Sequence, residues 1–179
     1  SLPAKTLQTS LFAAVDKSFN RISVDGDTST NDTVLLLANG RASVEPTTKA
    51  LQAQFDEALT WICRDLAQKI VRDGEGATKF VEIEVSGAAS DKAAHRIAAT
   101  MATSPLVKTA FTGSDPNWGR LLAAAGRAGV AFDPETVDLS IGVNSGDDLM
   151  LLQNGMVAQY EEHQAAEIFA SREFKIHLA

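Results

Sequence analysis

Residues 78–87 read "TKFVEIEVSG". Phe80, Val81, Ile83 and Val85 alternate with Glu82 and Glu84, the period-two pattern of a strand with one wet face. Helical patterns lie on both sides of it. Upstream, Pro46 opens a long helix with Leu51, Phe55, Ala58, Leu59, Ile62, Leu66 and Ile70 on one face, and Gly74 is placed to end it. Downstream, Ser90 or Asp91 can cap a helix that runs to about Thr103 and is stopped by Pro105. A strand between two helices argues for α/β layers.

The pattern continues outward. Residues 4–19 carry Leu7, Leu11, Ala14, Val15 and Phe19 at helical spacing, and residues 34–38, Val-Leu-Leu-Leu-Ala, form an apolar run of strand length. Residues 106–111 read as a strand. In "GSDPNWGRLLAAAGRAGV", residues 113–130, Asp115 offers an N-cap and Pro116 sits at the first position of a helix running to about Gly129. Strands follow near 136–142 and 148–153, the second closed by the turn pair Asn154-Gly155. A helix over roughly 160–171 and a strand over 173–178 complete the chain. The predicted fold is α/β, with layered sheets flanked by helices. Small residues at 86–89 place a weak boundary there, giving units 1–87 and 88–179.

Composition narrows the class. The chain has 179 residues, 45% hydrophobic, enough for one large core or two small ones. Its net charge is -7, and the basic residues are scattered, so the sequence predicts no nucleic-acid partner. No apolar run approaches the roughly 20 residues of a membrane span. The first residues lack a signal peptide's basic start and apolar middle. One cysteine rules out an internal disulfide framework and suits a reducing compartment.

Three stretches invite chemistry. From Ser23 to Thr33 the chain places three aspartates, an asparagine and five hydroxyl side chains directly before the apolar run. The start resembles a calcium loop, but Thr30 stands where glycine is needed and Leu36 where glutamate is needed. Two readings remain: a turn held by Asx and Ser/Thr hydrogen bonds, or the wall of an active site. In "RDGEGATKF", Glu75 lies between Gly74 and Gly76, so it is either an ordinary turn glutamate or a carboxylate presented to an ammonium-bearing substrate. Trp118 and Arg120 could meet a ligand, or the indole could pack against a sheet. No metal site is expected: Cys63 stands alone in a helix, and His95, His163 and His177 have no ligand spacing.

"SFNRISVDGDTSTNDTVLLLANG", "IVRDGEGATKF" and "SDPNWGRLLAAAGRAG" occur in this order. Together they resemble the β-chain of the bifunctional ornithine acetyltransferase / glutamate N-acetyltransferase family of arginine biosynthesis, from about Leu7 onward. The resemblance implies an N-terminal-nucleophile-type acyltransferase architecture with a smaller C-terminal αβ domain. It also implies a self-cleaving precursor, whose new N-terminal threonine carries acetyl from N-acetylornithine to glutamate. That threonine-led segment would precede Ser1, so no catalytic residue is assigned within the chain. A family tail that gives an asparagine and a hydroxyl residue to the substrate site would follow Ala179, and the oxyanion-hole residues would belong to the α-chain.

Of the family's substrate contacts, Glu75 alone carries over. Asn31, Asp32 and Thr33 are candidates for supporting the nucleophile's terminus. The implied partners are an α-chain from the same precursor, in an α2β2 assembly, and the small-molecule substrates. No resident cofactor is implied, and acetyl-CoA is a possible second donor. The implied compartment is the cytoplasm, or the mitochondrial matrix for a fungal protein.

Overall fold

A computed structural model describes residues 2–44, 48–143 and 148–179. The chain divides into two compact units, Ser1–Glu75 and Gly76–Ala179. The strand at 80–85 therefore falls in the second unit, whereas a boundary at residue 87 puts it in the first. Backbone pairing explains the difference, because that strand's partner lies near the end of the chain.

The first unit holds α1 (Ala4–Asp16), a 3-10 turn (Phe19–Arg21) and α2 (Lys49–Arg72). Ala14, Leu59 and Cys63 form its buried centre, with Phe19, Leu36 and Phe55 packed against them. Burial pushes the Cys63 thiol pKa up. Pro46 lies outside the described residues. The start of α2 is fixed by Thr48, whose hydroxyl accepts the Leu51 amide at 3.2 Å. The face that α2 buries is Leu59, Cys63 and Ala67, spaced by four, whereas Leu51, Ile62, Leu66 and Ile70 are exposed. The helix has two apolar stripes, and periodicity alone merges them. The apolar run at 34–38 departs further from expectation. It forms no strand, and Leu35 and Leu37 are 76% and 88% exposed. An apolar run is a buried strand only where neighbouring strands flank it, and the first unit contains none among its described residues.

The second unit is a five-stranded mixed sheet with helices on one face. Its strands are β1 (Phe80–Val85), β2 (Leu139–Gly142), β3 (Leu149–Gln153), β4 (Met156–Val157) and β5 (Glu173–Leu178), in the order β1-β5-β2-β3-β4. β1 runs parallel to β5 from Phe80↔Glu173 to Val85↔Leu178, and the other pairings are antiparallel. The alternation at residues 80–85 now has a cause. Val81, Ile83 and Val85 pack on the core, as do Phe174, Ile176 and Leu178 beside them. The polar positions of both strands occupy the other face, where Lys175 pairs with Asp148 at 2.9 Å.

Four helices cover the inner face: α3 (Asp91–Ala102), α4 (Pro105–Thr112), α5 (Trp118–Gly126) and α6 (Glu162–Ala170). Ser90 caps α3 by accepting the Ala93 amide. Residues 106–111 are helical, not the expected strand. Ser104 accepts the Val107 amide and Pro105 occupies the first turn, so the proline that stops α3 also starts α4. Val107 and Ala110, three apart, are the residues α4 buries. At the centre, Phe169 and Phe174 pack at a tilt of 32° with centroids 4.9 Å apart, and Phe111 meets Phe174 edge-on at 5.5 Å.

Candidate functional site

The most organised polar corner of the second unit is "SDPNWGR", residues 114–120. Pro116 does not open the helix, and Asp115 is not its cap. Asn117 holds that position, its side-chain oxygen accepting the Arg120 amide at 3.2 Å. The Asn117 side-chain nitrogen donates to Asp115 at 3.4 Å, and the Arg120 guanidinium lies 3.7 Å from the same carboxylate oxygen. Arg120 also donates to Thr109 on α4 at 3.3 Å. Ser114, at φ +51°, makes the corner that turns the chain from α4 into this loop.

The packing reading of Trp118 holds. It packs against the core, and it also lines an open cleft of about 660 Å³. Tyr160, Glu162 and His163 line the same cleft. Sequence reasoning missed these three because they lie some forty positions away, and no spacing rule connects the start of α6 to the start of α5.

The polar loop before residue 34 is held in part by its own side chains, while the Ser23 hydroxyl is buried with no hydrogen-bond partner among the described residues. Asp25 accepts the Asp27 amide at 2.8 Å, Ser29 accepts the Asn31 amide at 3.3 Å and donates to the Asn31 side-chain oxygen at 3.1 Å, and Thr33 donates to the Asn31 carbonyl at 3.2 Å. These are the Asx and Ser/Thr turns expected of such a composition. Asn31, Asp32 and Thr33 are all exposed. Glu75 is exposed at the tip of the turn after α2, and Gly76, at φ +71°, supplies the left-handed residue that the turn needs. No hydrogen bond among the described residues joins Glu75 to the 31–33 segment. His177 accepts or donates to Ser86 at 2.7 Å, and no group of three metal-ligating side chains forms among the described residues.

The "ArgJ family" model matches residues 1–179. The chain belongs to the ArgJ family. Among curated ArgJ relatives, it is 50% identical to "Arginine biosynthesis bifunctional protein ArgJ" of Desulfotalea psychrophila, over 95% of the chain and 43% of that protein. It is 46% identical to "Glutamate N-acetyltransferase" of Methanocaldococcus jannaschii, over 96% and 43%. A Postia placenta relative, 47% identical over 96% and 39%, is named as the mitochondrial ArgJ protein. The chain thus spans about two fifths of the length of the curated relatives it matches. The crystal structure of arginine biosynthesis bifunctional protein ArgJ from Bacillus halodurans superposes with a TM-score of 0.91 at 41% identity, over 99% of this chain and 83% of that one. The layered α/β fold and the family resemblance are thereby established. No helix of the described residues is long and apolar enough to cross a membrane.

Proposed function

We propose that this ArgJ chain is the body of the β-chain of an acetyltransferase that moves acetyl from N-acetyl-L-ornithine to L-glutamate. The observation that carries the reading is the family match along all 179 residues, with relatives named for arginine biosynthesis and glutamate N-acetylation. The nucleophile is a threonine in a segment outside this chain. Its hydroxyl oxygen attacks the acetyl carbonyl, the amide bond breaks, and ornithine leaves with the proton on its amine. The glutamate amine then attacks the acetyl-threonine ester, restoring the hydroxyl. An N-terminal threonine can use its own α-amino group as the base. Acetyl-CoA, where used, acylates the same oxygen.

Glu75 is assigned to substrate orientation. An exposed carboxylate at a turn tip can accept a charge-assisted hydrogen bond from a substrate ammonium. The turn-braced segment Asn31, Asp32 and Thr33 is assigned to holding the nucleophile's terminus. The exposed Leu35, Leu37, Trp61, Ile62, Leu66 and Ile70 support a partner that covers this unit, assigned to an α-chain of the same precursor within α2β2. The compartment is the cytoplasm, or the mitochondrial matrix if the source is a fungus, as the name of the Postia relative suggests.

The test uses the complete protein with acetyl-labelled N-acetylornithine and glutamate. Labelled N-acetylglutamate should form in step with ornithine. Release of labelled acetate in its place would indicate a hydrolase of the same architecture. Neither product from folded, cleaved protein would indicate an assembly subunit.

A further inference from the structure

The cleft between the starts of α5 and α6 has no part in the proposed transfer, yet its lining is selective. Trp118 and Tyr160 each lean on the core and also face the cleft, so two aromatic surfaces are held by packing. His163 adds a third ring, and Asp115 and Glu162 bring carboxylates. Two helix N-termini border the space, which by themselves would favour an anion. Each is already compensated. Asp115, with Arg120 and Asn117 as its partners, stands before α5, and Glu162 lies in the first turn of α6. The lining contains no lysine or arginine; beside Pro116, Asn117, Gly119 and Ala166 it consists of the rings of Trp118, Tyr160 and His163 and the carboxylates of Asp115 and Glu162.

We propose that this cleft binds a small organic cation, of the class of primary alkylammonium compounds. The charged nitrogen sits at the Glu162 and Asp115 carboxylates, and the alkyl portion lies over Trp118 and Tyr160. The chemistry combines charge-assisted hydrogen bonds with the attraction of a cation to the negative faces of aromatic rings. The pairing of Arg120 with Asp115 leaves Glu162 as the main anionic anchor.

The test is calorimetric titration of the complete protein with n-butylammonium chloride, carrying Glu75→Gln so that the carboxylate proposed for the substrate does not contribute. Saturable binding is expected, with n-butanol and sodium butyrate at least tenfold weaker. Adding Glu162→Gln, an exposed first-turn position, should weaken n-butylammonium at least tenfold while leaving the circular dichroism spectrum unchanged. Trp118→Leu should weaken it as well, whereas Trp61→Leu in the first unit should not. Absence of saturable binding, equal binding of butanol or butyrate, or indifference to Glu162→Gln would each overturn the proposal. Because Glu75 is already neutralised, failure here leaves the acetyl-transfer reading untouched.

Discussion

Asn117 caps α5 and, through the other end of the same amide group, holds Asp115 at 3.4 Å. One side chain therefore sets both the start of the helix and the position of the acid beside it. Asn117→Ala should cost roughly 0.5 to 2 kcal/mol of stability, the usual range for a lost N-cap. Asp115→Ala should cost less, because it leaves the cap in place. Thermal or urea unfolding of the two variants checks the order, and a larger loss for Asp115→Ala would refute it.

Gly155 closes the β3–β4 turn at φ +71°, after Asn154 at φ +48°. A Cβ there would press on the Pro134 carbonyl and lie 2.7 Å from the Glu135 Cα. Backbone strain and a clash with backbone act together, so Gly155→Ala should destabilise by more than about 1 kcal/mol. A denaturation midpoint equal to wild type would show that the turn can shift freely.

Glu75→Gln keeps the shape of the side chain and removes its charge. In the complete cleaved enzyme, loss of a charge-assisted hydrogen bond of about 1.5 to 3 kcal/mol should lower kcat/KM for N-acetylornithine roughly ten- to hundredfold. Precursor cleavage should survive, as a gel of the two fragments would show. Wild-type kinetics in cleaved enzyme would remove Glu75 from the substrate site. An uncleaved precursor would assign it to maturation.

The side-chain hydrogen bond to Asp148, the attraction of that carboxylate, and the nearby Glu84 and Glu82 hold the Lys175 amine above the usual lysine range. The folded protein therefore binds this proton more tightly than the unfolded chain. Its contribution is fully present below the unfolded lysine value of about 10.4, and it disappears as pH rises through the folded value. Asp148→Asn should lower the Lys175 pKa. The stability gap between wild type and variant should narrow above about pH 10, given that reference value. Lysine side-chain NMR follows the titration directly, and an identical Lys175 curve in the variant would contradict this account.

Where a segment's own side chains decide its structure, the sequence was readable. β1 and β5 alternate cleanly because each buries one face against the same helices. Ser90 and the Asn154-Gly155 pair act through local hydrogen bonds and backbone preference. Sequence and structure differ where the deciding context is not the segment's own side-chain pattern. Residues 106–111 are apolar enough for a strand, and the Ser104 cap with Pro105 made them a helix. Leu35 and Leu37 carry strand composition with no strand beside them among the described residues. Asp115 and Asn117 are both competent caps two positions apart, and only the hydrogen bond to Arg120 separates them. The candidate site divided the same way. Glu75 stood out through its flanking glycines, while Glu162 and His163 join Trp118 only through the folded sheet.

The sheet places its latest strand near its middle. β5, residues 173–178, sits between β1 and β2, so β1 waits across almost ninety positions of intervening chain before it finds its partner. During synthesis, the alternating face of "FVEIEV" must stay unpaired while four helices and three strands emerge. Closing so long a loop is slow, and an unpaired apolar strand invites association with other chains in the meantime. Glu82 and Glu84 keep that waiting strand charged. The same glutamates that sit on the outer face of the finished sheet thus protect its unfinished form.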